Sequence, residues 1–324
     1  MRLLFTLVLF ATISFLKAQG PSLDWVKGTG GTEVDYGTSL VVDASGNVYT
    51  TGYFSGTVDF DPGTGISSLT SAGGTDIFIQ KLDASGNLVW VKTMGDMNPD
   101  KGFAIAVDSS GNIYSTGFFG GTVDFDPGVG VSNLTSNGTE AIFIQKLDAA
   151  GDFVWAKQMG GFGSARGNAI AIDDNENVYT TGYFFGTADF DPGPGVASLS
   201  SAGSYEVFIQ KLDAAGDFVW AKRVGGNSPD YGTSIKVDAL GNVYVVGDYS
   251  SSADFDPGIG TANLSAVGSA DIFILKLNPA GSYLWAKSMG GTEYDYAYSL
   301  AVDASGNIYS TGAFRDSVNF DPGA

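Results

Sequence analysis

The chain has 324 residues, of which 16 are Lys or Arg and 35 are Asp or Glu, so that its formal net charge is −19. It contains no His and no Cys, which excludes a Ser-His-Asp triad, a Cys-His pair, a structural zinc site and disulfides. The negative charge disfavours nucleic acid as a partner. A hydrophobic fraction of 44% supplies a core and excludes a disordered acidic tail.

The N-terminus has the pattern of a secretory signal peptide. Arg2 precedes an apolar run over residues 3–16, and Lys17 and Ala18 lead into polar sequence. We expect cleavage after Ala18, so that residues 1–18 are removed. The alternative is a membrane anchor, but the run is shorter than the roughly 20 apolar residues that span a bilayer. No later segment of the sequence is apolar enough to cross a membrane, and we expect an exported chain.

A repeat of 65 residues organises the rest of the chain. The repeat is carried by one Trp, one Tyr and one D-P-G aspartate per unit. These residues are Trp25, Trp90, Trp155, Trp220 and Trp285; Tyr49, Tyr114, Tyr179, Tyr244 and Tyr309; and Asp61, Asp126, Asp191, Asp256 and Asp321. Because no insertion disturbs the period, the repeat determines the fold.

Each unit is predicted to form four strands rich in β-branched and aromatic residues. In the first unit these strands are residues 38–43, 48–54, 76–83 and 88–94. The same sequence, D-A-S-G-N, joins the first two strands and the last two, and it is typical of a tight antiparallel hairpin. The long connection over residues 55–75 has two short segments that can pair as an extra hairpin.

Four antiparallel strands per repeat without helices predict an all-β fold, the β-propeller. The alternative is a β-solenoid, whose coils are usually shorter than 65 residues. The predicted propeller domain covers residues 19–324. Its complete blades are residues 38–94, 103–159, 168–224 and 233–289, its partial blade is residues 298–324, and a lone fourth strand is expected at residues 23–28. We expect an open arc that is a fragment of a longer repeat array.

The repeat resembles the SBBP-type β-propeller repeat of bacterial proteins. The resemblance is carried by D-x-x-G-N-[VI]-Y-x-T-G-[YF]-F, D-F-D-P-G, D-I-F-I-Q-K-L-D-A-x-G and [VL]-W-A-K-x-M-G-G, and it covers residues 23–323. It implies a β-propeller that is secreted or attached to the surface of a Gram-negative bacterium, and it implies no particular activity. One departure is Glu176, which replaces the usual turn Gly and predicts a looser or different turn.

The D-F-D-P-G loops offer two interpretations. Asp-Pro-Gly is a turn sequence, which accounts for the second aspartate of each loop but not for the first. Two carboxylates two residues apart are also candidate calcium ligands, with carbonyls and water completing the coordination. The candidate calcium ligands are Asp59, Asp61, Asp124, Asp126, Asp189, Asp191, Asp254, Asp256, Asn319 and Asp321.

Two further series recur with the repeat. The tryptophans are predicted to pack between blades, since the flanking V-W-A-K pattern gives no sign of an exposed sugar-binding platform. Acids precede four of the five first strands, at Asp35, Asp100, Asp230 and Asp295, and Ala165 interrupts the series. These acids are interpreted either as solvated loop residues or as a partial carboxylate ring at the mouth of a central channel.

The composition and the near-symmetry of the repeats favour a secreted or cell-surface protein that is not an enzyme. Its role would be to bind a protein or polysaccharide partner, or to serve as a scaffold, because repeated blades suit multivalent binding. No catalytic residue is assigned, and no cofactor other than calcium. The alternative is a glycoside hydrolase that uses paired carboxylates, the hydrolytic chemistry that needs no His.

Overall fold

The computed structural model describes residues 23–321, and this part of the chain consists of strands and connections without a helix. The predicted signal peptide, residues 1–18, lies outside the described residues. No helix long and apolar enough to cross a membrane occurs in residues 23–321.

Each complete blade contains four long strands and one small hairpin. Blade 1 has β1 (Asp35–Val42), β2 (Val48–Phe54), β3 (Thr57–Asp59), β4 (Ser68–Thr70), β5 (Asp76–Leu82) and β6 (Leu88–Met94). Blade 2 has β7 (Lys101–Val107), β8 (Ile113–Phe119), β9 (Thr122–Asp124), β10 (Asn133–Thr135), β11 (Ala141–Leu147) and β12 (Phe153–Gly161). Blade 3 has β13 (Ala165–Ile172), β14 (Val178–Phe184), β15 (Thr187–Asp189), β16 (Ser198–Ser200), β17 (Glu206–Leu212) and β18 (Phe218–Gly226).

Blade 4 repeats this order and is followed by part of a fifth blade. Blade 4 has β19 (Asp230–Val237), β20 (Val243–Tyr249), β21 (Ser252–Asp254), β22 (Asn263–Ser265), β23 (Asp271–Leu277) and β24 (Tyr283–Gly291). The partial blade has β25 (Tyr296–Val302), β26 (Ile308–Ala313) and β27 (Val318–Asn319). The four predicted strands of each complete unit are therefore confirmed. The first strands begin up to three residues earlier than predicted, ahead of a bulge such as that between Gly37 and Ser39.

The long strands of a blade pair as an antiparallel meander, in the order β1-β2-β5-β6 in blade 1. The predicted extra hairpin is also confirmed, since β3 pairs with β4 and its counterparts pair in the same way. In blades 3 and 4 this hairpin adds to the outer edge of the preceding blade, where Gly160 pairs with Asp189 and Gly225 pairs with Asp254. The hairpin therefore links neighbouring blades through backbone hydrogen bonds, a role that the sequence did not indicate.

The blades surround a common axis, because their first strands line one central cavity of about 560 Å³. Residues from all five first strands contribute to its wall, at 38–41, 103–107, 168–172, 233–237 and 298–299. A solenoid would stack its coils along a line and would bring no such set of strands together. The fold is the predicted β-propeller architecture, arranged as an open arc.

The hydrophobic core lies between successive blades. One buried cluster joins Ile209 of blade 3 to Ile235 and Phe273 of blade 4, and equivalent clusters join the earlier blades. Trp220 of blade 3 belongs to this cluster, and its indole donates to the Pro279 carbonyl of blade 4 at 3.1 Å. The predicted inter-blade packing of the tryptophans is confirmed.

The lone fourth strand predicted at residues 23–28 does not form. This segment has no ladder partner, since a fourth strand pairs with a third strand and none lies beside it. Trp25 nevertheless makes the same hydrogen bond as its counterpart Trp220 in the repeat. The Trp25 indole donates to the Ala84 carbonyl at 3.0 Å, as Trp220 donates to Pro279 at 3.1 Å.

The prediction of a different turn at Glu176 is wrong. Glu176 adopts a positive φ of 61°, and its backbone N–H donates to the Asp173 carbonyl at 2.9 Å. The equivalent Gly241 has a φ of 79° and makes the same bond to Asp238 at 2.8 Å. The hairpin therefore keeps its geometry, and Glu176 bears the strain that a side chain meets in the left-handed region.

We predict that Asp173→Ala lowers the free energy of unfolding by about 2–3 kcal/mol, because it leaves buried donors without an acceptor. Asp173 accepts from the backbone N–H groups of Asn175 and Asn177, from the Asn177 amide and from the buried Tyr179 hydroxyl, all at 2.8–3.0 Å. Urea unfolding measures the change. Asp303→Ala alters the same hairpin in the exposed partial blade and should cost less, since water replaces the acceptor. Equal losses in the two variants would contradict this account.

Candidate functional site

The D-F-D-P-G loops use their aspartates to organise their own backbone. Asp59 accepts hydrogen bonds from the N–H groups of Asp61 at 3.0 Å and Ser67 at 2.8 Å, which closes the loop between β3 and β4. Asp61 accepts from the N–H of Gly63 at 2.7 Å. The other complete copies make the same three bonds.

This geometry explains the first aspartate, which the turn sequence alone did not. In the fifth copy Asn319 accepts from the N–H of Asp321 at 2.9 Å, because an amide oxygen serves as well as a carboxylate. A Cβ added at Gly65 would collide with Oδ2 of Asp61, so a larger residue there would force that carboxylate to shift. Residues 23–321 contain no group of three or more His, Cys, Asp or Glu side chains that could hold a metal ion. Calcium binding at these loops stays a prediction.

Three of the four acids before the first strands are enclosed, the fourth, Asp35, is partly exposed, and none of them lines the central cavity. Asp100, Asp230 and Asp295 are fully buried, and each accepts two backbone hydrogen bonds. Asp230 receives one from Gly226 at the end of blade 3 and one from Ser250 after the second strand of its own blade. For Asp100, Asp230 and Asp295 both interpretations were wrong, because the buried carboxylates supply acceptors to N–H groups that the sheets leave unpaired. The partly exposed Asp35 accepts from the Gly31 N–H at 2.7 Å.

A second acid faces each of these carboxylates, and the sequence analysis missed it. Asp76, Glu206 and Asp271 begin the third strands and are almost fully buried. A Cβ added at Gly225 would lie 2.6 Å from Asp230 Oδ2 and 3.0 Å from Glu206 Cγ, so the two acids meet above this glycine. At the junction of blades 2 and 3 both acids are absent together, since Ala141 and Ala165 take their places. That joint absence at the 65-residue period was the signal available in the sequence.

Burial raises the pKa of Asp76, Asp100 and Asp230. It raises the pKa of Asp230 to about 7, with the Glu206 and Asp248 charges adding to the effect and the two backbone hydrogen bonds opposing it. It raises the pKa of Asp100 to about 7 and that of Asp76 to about 6 for the same reason. Asp76 and Asp271 each keep one buried carboxyl oxygen without a hydrogen-bond partner. The acid pairs are therefore enclosed structural groups.

A different set of residues varies between the blades and lies together on one face. Three positions meet at each junction between blades. They are the end of the second strand and the residue before the third strand of one blade, and the start of the first strand of the next blade. The four triplets are Tyr53, Thr75 and Lys101; Phe118, Glu140 and Arg166; Tyr183, Tyr205 and Tyr231; and Asp248, Ala270 and Tyr296. We call them the junction triplets. Their backbone is alike at every junction, because the carbonyl of the middle residue accepts a hydrogen bond at 2.7–3.2 Å from the residue before the third member.

The side chains of three triplets are in contact, and each triplet has its own chemistry. The Lys101 ammonium lies 4.3 Å from the centroid of the Tyr53 ring. Arg166 lies 4.4 Å from the Phe118 ring and forms a two-pronged ion pair with Glu140, with both N–O distances 2.6 Å. Burial favours the neutral Glu140, but hydrogen bonds from Arg166 and Ser164 outweigh it and hold the pKa of Glu140 below its usual value.

The third triplet is an aromatic cluster that reaches the surface. Tyr183 lies 4.9 Å from Tyr231 and 5.2 Å from Tyr205, measured between ring centroids, and Phe185 extends the cluster at 5.8 Å from Tyr205. Phe185 is 46% exposed. On the neighbouring connection between blades 2 and 3, Phe162 is 92% exposed. A cluster of exposed apolar and aromatic side chains is typical of interaction surfaces.

Residues that recur with the repeat do not reveal this face, because its residues differ from blade to blade. Residues that recur in every blade are those that the shared blade structure requires. Residues that differ between blades at the same backbone position are candidates for a function specific to one junction. Aligning the units at 65 residues and selecting the variable positions inside the strands finds the junction triplets without a structure.

We predict that Asp100 and Asp230 together lower the free energy of unfolding by a few kcal/mol as the pH rises from about 4 to about 8. The folded state raises the pKa of Asp100 and Asp230 to about 7, above the unfolded value near 3.9, so folding takes up protons in this range. Their stabilising effect is fully present below pH 4 and is lost as the pH rises through 7. Urea unfolding across the range measures the slope. Asp230→Asn should reduce it, while Asp174→Asn at an exposed position should not; equal slopes in both would refute the assignment.

The loop geometry predicts that Asp189→Asn is mild, since Asn319 fills the same role in the fifth copy. Asp189→Ala removes the acceptor for the N–H groups of Asp191 and Ala197 and should cost about 1–2 kcal/mol. Thermal unfolding in millimolar calcium and in EDTA tests the remaining interpretation. A higher melting temperature in calcium, lost in Asp189→Ala, would establish the loops as metal sites.

Comparison with known proteins agrees with this architecture. The sequence model of the SBBP family, described as a β-propeller repeat, matches residues 154–183, 219–256 and 284–313. An uncharacterized WD repeat-containing protein of Acanthamoeba polyphaga mimivirus is 26% identical over 251 residues, which are 68% of this chain and 18% of the relative. The regulatory protein FlaEY of Caulobacter vibrioides is 24% identical over 253 residues, 75% of this chain and 24% of the relative.

The chain spans less than a quarter of the length of these two relatives, so the likeness concerns the repeat region. Both the repeat matches and the arc of four-stranded blades point to the same family. The chain therefore contains SBBP-type β-propeller repeats.

Proposed function

We propose that this protein is a non-enzymatic binding module that holds a protein or polysaccharide partner on the face of the junction triplets. The observation that carries the proposal is the row of triplets, in which one backbone arrangement presents a different side-chain chemistry at each junction. A partner that spans several junctions would meet a cation, an ion pair and an aromatic cluster in turn. Several weak contacts on a rigid arc sum to a specific interaction.

Location outside the cell is part of the proposal. It is supported by the signal-peptide pattern of residues 1–18 and by the resemblance to secreted or surface-attached repeat proteins. The similarity to a WD repeat-containing protein supports a role as a repeat scaffold. In the proposed setting, the blades place the binding face on a surface accessible to extracellular partners.

The alternative glycoside hydrolase needs two carboxylates on either side of a sugar. The paired acids of the structure, such as Glu206 and Asp230, are buried and bound to backbone N–H groups, so they do not face a substrate. The loop aspartates face solvent, but they recur at equal spacing in every blade. Neither the buried acid pairs nor the loop aspartates favour a glycoside hydrolase, whereas the junction triplets favour a binding module.

We predict that Phe162→Ser weakens partner binding at least tenfold, since an exposed aromatic ring at a binding face contributes strongly to affinity. A glycan array and capture of extracellular proteins identify the partner, and titration of the variants measures the affinity. Ile259→Ser is the matched control, because Ile259 is equally exposed on an outer hairpin loop. Chromogenic glycosides are assayed in parallel.

Equal losses in the two variants would remove the junction face from the proposal. Turnover of a glycoside that disappears when one carboxylate is replaced would overturn the non-enzymatic assignment.

A further inference from the structure

Two pockets lie at the opposite end of the strands from the junction triplets, between the first hairpins of neighbouring blades. The pocket between blades 3 and 4 measures about 340 Å³, and its walls include Lys211, Gly241 and Tyr179. The pocket between blades 1 and 2 measures about 450 Å³, and its walls include the equivalent Lys81 and Gly111. Both volumes are in the range of small-molecule sites.

The lysine of each pocket is held in one position. Lys81 and Lys211 each place the ammonium 5.0 Å from the centroid of a tyrosine ring, that of Tyr49 and Tyr179 respectively. Neither lysine forms an ion pair within residues 23–321, although Lys81 also donates to the Ala149 carbonyl at 3.1 Å. An oriented ammonium in a polar pocket is suited to a carboxylate.

The intervening junction shows how such a carboxylate binds. Lys146 occupies the same repeat position and lies 4.9 Å from the Tyr114 ring, and Glu176 Oε2 lies 3.0 Å from its ammonium. Glu176 stands where the other two junctions have Gly111 and Gly241, on a hairpin of the same geometry. Glu176 binds Lys146 although Asp173 lies on the same hairpin, where its carboxylate accepts four hydrogen bonds from neighbouring groups.

We propose that the pockets at Lys81 and Lys211 bind the carboxylate of a small polar ligand, as Lys146 binds Glu176. The walls favour a hydroxylated carrier such as a uronic acid, because Asp174, Asn175 and Asn177 line the pocket at Lys211 beside backbone polar groups. Glu176 closes the junction of blades 2 and 3, so two of the three junctions between complete blades keep an open pocket. This inference does not depend on the junction triplets, which lie at the other ends of the same strands.

The test is chemical-shift mapping of the ¹⁵N-labelled protein with D-galacturonate, and with D-galactose as the neutral control. The method detects weak binding, down to a dissociation constant of about 1 mM. We expect galacturonate to shift the amide signals of Gly111 and Gly241 while that of Glu176 stays unchanged. Galactose should leave all three unchanged.

Exchanging Glu and Gly between positions 176 and 241 provides a sharper comparison. Glu176→Gly opens the middle pocket, so residue 176 should join the responding amides, whereas Gly241→Glu should abolish the response at residue 241 and leave Gly111 responding. Glu176 shows that the hairpin accepts Glu at a positive φ. Lys211→Met is a second variant that removes only the ammonium and should likewise silence residue 241.

Three results would overturn the proposal: no shift at Gly111 and Gly241, equal shifts with galactose, or an unchanged response in Glu176→Gly. Binding at the junction triplets can fail or succeed independently of these results.

Discussion

Contact between successive blades is the interaction on which the structure depends. A four-stranded sheet exposes two apolar faces, and each blade covers one face of its neighbour with buried aromatic and aliphatic side chains. The same junction satisfies backbone groups that the sheets leave unpaired. Asp230 accepts from the preceding blade and from its own blade, and the outer hairpin of one blade pairs with the last strand of the preceding one. Packing and hydrogen bonding therefore fix the blades in one relative arrangement.

This rigidity separates structural from functional variation. The buried acid pairs, the D-F-D-P-G loops and the Tyr–Asp hairpins recur because each copy must satisfy the same N–H groups and hydroxyls. Where the backbone needs no particular side chain, the blades differ, as at Arg166 and its counterparts on one face. Glu176 and its counterparts form a second such position on the opposite face. Both binding hypotheses rest on differences between copies of one repeat.

Much of the fold was predictable, because the 65-residue period, the alternation of apolar residues and the turn sequences are local signals. The strands, the small hairpin and the packing of the tryptophans follow from them. The buried acids were misinterpreted, since an acidic residue in a loop sequence gives no sign that it will be enclosed by the next blade. The strand expected at residues 23–28 failed for a related reason, because strand formation depends on a neighbour that the local sequence does not describe.

Native-state hydrogen exchange tests most directly the claim that the junctions hold the arc together. Blades with two neighbours should open only at high free energy, so the amides of β14 and β17 in blade 3 should exchange slowest. The amides of β25 and β26 have a neighbour on one side within the described chain and should exchange faster at equal hydrogen-bond count. Exchange of blade 3 as fast as that of β25 and β26 would contradict the account, because it would mean that each blade is stable without its neighbours.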